Sequence, residues 1–66
     1  MPNTKTLIEI IDTSWHKQVP DESFAKLILG FIGWAYAEHG DPALFSDEEF
    51  GKYFAIYCKK VKHNEI

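Results

Sequence analysis

Leu27-Ile28-Leu29-Gly30-Phe31-Ile32-Gly33-Trp34-Ala35-Tyr36-Ala37 runs for eleven residues without a charge or a side-chain amide. Read as a helix, this stretch is apolar on every side, and such a helix has to be surrounded. It is too short to cross a bilayer, which takes ~20 residues. Phe24, Leu27, Ile28, Phe31 and Ala35 recur at helical spacing and form one stripe. Gly30, Gly33, Trp34 and Ala37 lie on another side. A glycine inside a helix costs about 1 kcal/mol against alanine. Two of them three apart suggest a close approach, either a tight crossing within the chain or a seam between two copies.

The helix around this stretch is expected over residues 21–39. Pro20 is preorganised for a first turn, and Asp21 and Glu22 complement the positive end of the dipole. Gly40 suits the left-handed position that follows a helix, and Pro42 prevents continuation. Upstream, Thr6-Leu7-Ile8-Glu9 has the form of a capping box, and Leu7, Ile8, Ile11 and Trp15 share a face. A first helix is therefore expected over residues 4–15, with Ile10 off its apolar face. The dense β-branched residues at 6–11 also permit a strand. Downstream, Phe45-Ser46-Asp47-Glu48-Glu49-Phe50 carries a complete start signal. Ser46 is the N-cap, Glu49 its reciprocal partner, and Phe45 and Phe50 occupy the staple positions. Phe50, Tyr53, Phe54, Tyr57 and Val61 continue at helical spacing, with Lys59, Lys60 and Lys62 at the negative end. A third helix is expected over residues 46–63.

The expected fold is thus all-α, a small three-helix domain filling residues 1–66. A chain of this length buries only about 60% of its unfolded surface and is marginal alone. Disulfides, a metal or a partner usually make up the difference. Cys58 is the single cysteine, so no internal disulfide forms. A lone cysteine and an N-terminus without a signal-peptide layout point to the cytoplasm. Ten aromatic residues supply a dense core, yet two short helices cannot wrap all of residues 27–37. A second copy completes the cover most simply, since two-fold dimers are the commonest oligomers.

Catalytic, cofactor-binding and metal-binding groups are not expected. Cys58 and His63 are five apart, where useful ligand pairs on a helix stand three or four apart, and His16 and His39 add no zinc spacing. Cys58 sits late in a helix, where the dipole opposes a thiolate. Glu38 and His39 adjoin and so do not share a face. No glycine-rich phosphate loop is present, because Gly30 and Gly33 stand among large apolar residues.

Net charge is −3, with seven lysines and no arginine. Arginine is the side chain best suited to forked phosphate and guanine contacts, so its absence argues against nucleic acid as partner. Residues 41–51 hold four acids and no base, an acidic patch beside Phe45 that suits a basic protein surface.

The expected function is a non-enzymatic protein-binding module acting as a homodimer. Its self-association residues are Gly30, Gly33, Trp34 and Ala37. Its partner-binding residues are Phe45, Asp47, Glu48, Trp15, Tyr36 and Tyr53. Length and acidity are typical of small phage or plasmid accessory proteins, so an inhibitor or regulator of a host protein is one version. The alternative is a DNA-binding regulator of helix-turn-helix type. Against it stand a connection longer than the usual three or four residues and three acids where a recognition helix meets bases. A peptide lying in lipid is a third reading, but the apolar run lacks a lysine-rich polar face.

Overall fold

The structure, a computed structural model, describes residues 4–65, with side chains from residue 7 onward. These residues form three α-helices, α1 (Thr4–Gln18), α2 (Phe24–Glu38) and α3 (Asp47–Lys62), with a 3-10 turn at Pro42–Leu44. The fold is all-α, and the described residues contain no strand. Residues 6–11 are helical.

Two boundaries differ from expectation. α1 runs three residues past Trp15, and the amide of Val19 still donates to the Trp15 carbonyl at 2.9 Å. Pro20 sets the stop, because a proline disfavours helical geometry in the residue before it. α2 begins at Phe24, so Pro20, Asp21 and Glu22 belong to the preceding turn, where the amide of Glu22 donates to Val19 O at 3.1 Å. The cap is Ser23, whose hydroxyl accepts from the Lys26 amide at 3.2 Å. A serine that satisfies an orphan donor wins over a proline whose only contribution is a fixed φ. The other end is as expected. The amides of His39 and Gly40 both donate to Ala35 O, and Gly40 has φ 99°, open to glycine without strain.

α3 follows its sequence signal closely. Ser46 Oγ accepts from the Glu49 amide at 3.1 Å, and Glu49 Oε1 accepts from the Ser46 amide at 3.0 Å. Asp41 caps the 3-10 turn by accepting from the Ala43 amide at 2.9 Å. Past the C-cap His63, Asn64 takes a positive φ of 59°.

The core gathers where α2 meets α3. Phe31 and Phe54 are fully buried, joined by Leu27, Ala35, Tyr57, Cys58 and Val19. Phe31 is the hub. Its ring meets Phe50 at 5.0 Å, Phe54 at 5.3 Å and Tyr57 at 5.8 Å, each edge-on, and Trp34 at 6.1 Å. Edge-to-face pairs add about 0.5–1.5 kcal/mol each beyond the area they bury. α1 packs chiefly on α3, at Gly51. A methyl group placed on Gly51 would stand 3.3 Å from both Leu7 Cδ1 and Ile10 Cδ1. Ile10, which the periodicity leaves off the apolar face, therefore lies against α3. α1 reaches α2 through the Trp15 ring on Phe24, 5.3 Å between centroids.

Glu49 is held below its ordinary pKa of 4.5, first by the Ser46 amide, then by the Ser46 hydroxyl and Lys52. Its folded pKa is depressed, so its stabilising contribution is complete above pH 4.5 and is lost as pH falls through the lowered value. Ser46→Ala is expected to cost about 1 kcal/mol at neutral pH, read as a lower urea midpoint with an unchanged slope. Glu49→Gln is expected to flatten the acid limb of stability against pH.

Candidate functional site

The residues proposed for self-association and partner binding fall into three environments. The first is internal. Trp15 is half-buried, and its indole Nε1 donates to the Glu22 carbonyl at 2.8 Å. The ring also lies 4.4 Å from His16. Trp15 thus locks the α1–α2 turn. Tyr53 is half-buried beneath a stack, with His39 parallel to its ring at 4.0 Å and Phe45 edge-on at 5.1 Å. Trp34 closes this aromatic box, 5.2 Å from His39 and 5.5 Å from Tyr57. Gly30, exposed on the helix surface, borders this group. A methyl group built on it would run into the Tyr57 hydroxyl, with the ring carbon Cζ at 3.4 Å. The tight crossing at Gly30 is therefore between α2 and the Tyr57 side chain of α3.

The second environment is the start of α3. Asp47 and Glu48 are exposed there, while Phe45 is half-buried on Tyr53. The three carboxylates of this first turn complement the helix dipole, and Glu49 is engaged by Ser46.

The third environment is the outer face of α2. Leu29 is 70% exposed, Tyr36 59% and Ile32 39%. Ala25 and Ala37 are exposed beside them. No heavy atom of the described residues lies within 4 Å of a methyl group built on Gly33. Ala25, Leu29, Ile32 and Tyr36 recur every three or four residues and line one side of the helix. Leu27, Phe31 and Ala35 line the buried side. Of the expected residues, Gly33, Tyr36 and Ala37 belong to the open side. Leu29 and Ile32 are its largest aliphatic members, and sequence reasoning did not single them out. Their spacing with Gly33 and Tyr36 was the available signal.

Among the described residues no three His, Cys, Asp or Glu side chains gather where a metal could bind. No helix of the described residues is long and apolar enough to cross a membrane. Two open clefts lie among the described residues. One is lined by Glu9, Ile10, Thr13 and Ser14 along α1, another by Glu22, Lys26, Leu27, Tyr57 and Val61. Cys58 is fully buried, and burial pushes its thiol up to about 11 from 9.0. A protonated thiol without solvent access is a poor nucleophile.

Two measurements follow from these placements. Cys58 should react with a thiol reagent at neutral pH only as fast as the fold opens, and at once in denaturant. Its neutral form is the folded one, so stability should fall as pH rises from 9.0 towards about 11. Tyr57, raised by burial and then by Cys58 and Glu22, adds to that alkaline loss. Overpacking on the Tyr57 hydroxyl should cancel, in Gly30→Ala, the roughly 1 kcal/mol that alanine ordinarily gains over glycine in a helix. In a Tyr57→Phe background, which lacks that oxygen, the same change should recover part of that gain, read as a coupling in a double-mutant cycle. No protein-family model matches the chain, and no curated protein or solved structure matches it either.

Proposed function

We propose that this chain is a small, non-enzymatic protein-binding module that acts as a homodimer through the outer face of α2. The observation that carries the reading is the solvent exposure of Leu29, Ile32 and Tyr36 around an open Gly33. Large apolar side chains clustered on one uncharged helix face mark interaction sites more often than scattered ones do. The face has a rigid aromatic anchor in Tyr36 and aliphatic neighbours, the composition favoured at interface centres. The buried, protonated Cys58 thiol is not an accessible nucleophile.

The acidic first turn of α3 is the second surface of the module. Asp47 and Glu48 project beside the 83%-exposed Leu44, a combination suited to a protein with a basic rim. The same carboxylates weigh against a recognition helix on DNA, where they would face phosphates.

Sedimentation from about 1 µM to about 100 µM tests the dimer, since that range spans the Kd values of weak, reversible association. The expected result is a concentration-dependent shift from one chain to two. Leu29→Lys should abolish the shift, whereas Ile8→Lys, a change at an exposed apolar residue of α1, should leave it intact. A wild-type chain that stays monomeric throughout the range rules the homodimer out.

A further inference from the structure

We draw no further inference here: the strongest candidate, the exposed apolar patch of Leu29, Ile32 and Tyr36 on the outer face of α2, belongs to the site already described, and nothing in the structure shows what covers it.

Discussion

Phe31 is the contact on which the rest depends. Its ring is fully sheltered and meets Phe50, Phe54 and Tyr57 edge-on, so three successive turns of α3 converge on one side chain of α2. Aromatic edges set direction as well as distance. With Phe31 pointing into α3, Leu27 and Ala35 must follow, and Leu29, Ile32 and Tyr36 must turn away. The burial of one face and the exposure of the other are therefore a single event. α1 does not relieve the exposure, because it packs chiefly on α3, with Leu7 and Ile10 against Gly51.

The pairing of α1 with α3 explains why the middle helix, the most apolar segment of the chain, keeps one face open. A three-helix chain has enough apolar surface for about one core. Here that core forms between α2 and α3, and α1 packs Ile11 and Trp15 against it, with the Trp15 ring on Phe24. The aromatic box of Trp34, His39, Tyr53 and Phe45 then seals the end where α2 turns back towards α3. Aromatic richness thus serves enclosure at both ends of the core, and Tyr36 is the one aromatic ring more than half exposed.

Much of this architecture was legible from short-range chemistry. The capping box at Ser46 and Glu49, the left-handed Gly40 and the stripe through Phe50, Phe54 and Tyr57 are local signals, and local signals fix helix ends and faces. The start of α2 departs from its sequence signal because Pro20 and two acids resemble a first turn, while the deciding Ser23 lacks the glutamate that advertises a cap. Ile10 departs from the periodicity because the pattern assumes a single partner, whereas a glycine on α3 lets a neighbouring side chain lie in the gap. Gly30 and Gly33 look alike in sequence. Only the fold separates them, since one lies beneath a tyrosine hydroxyl and the other opens to solvent.

The Trp15 indole that donates to the Glu22 carbonyl has a topological consequence. Together with the hydrogen bonds Val19 to Trp15 and Glu22 to Val19, it closes the corner between α1 and α2 upon itself. A chain that traded its first helix with a neighbour would have to open this corner and strip the indole of its acceptor. Domain exchange is therefore the costly route to assembly. In the proposed homodimer, copies would meet as finished units and part again without unfolding.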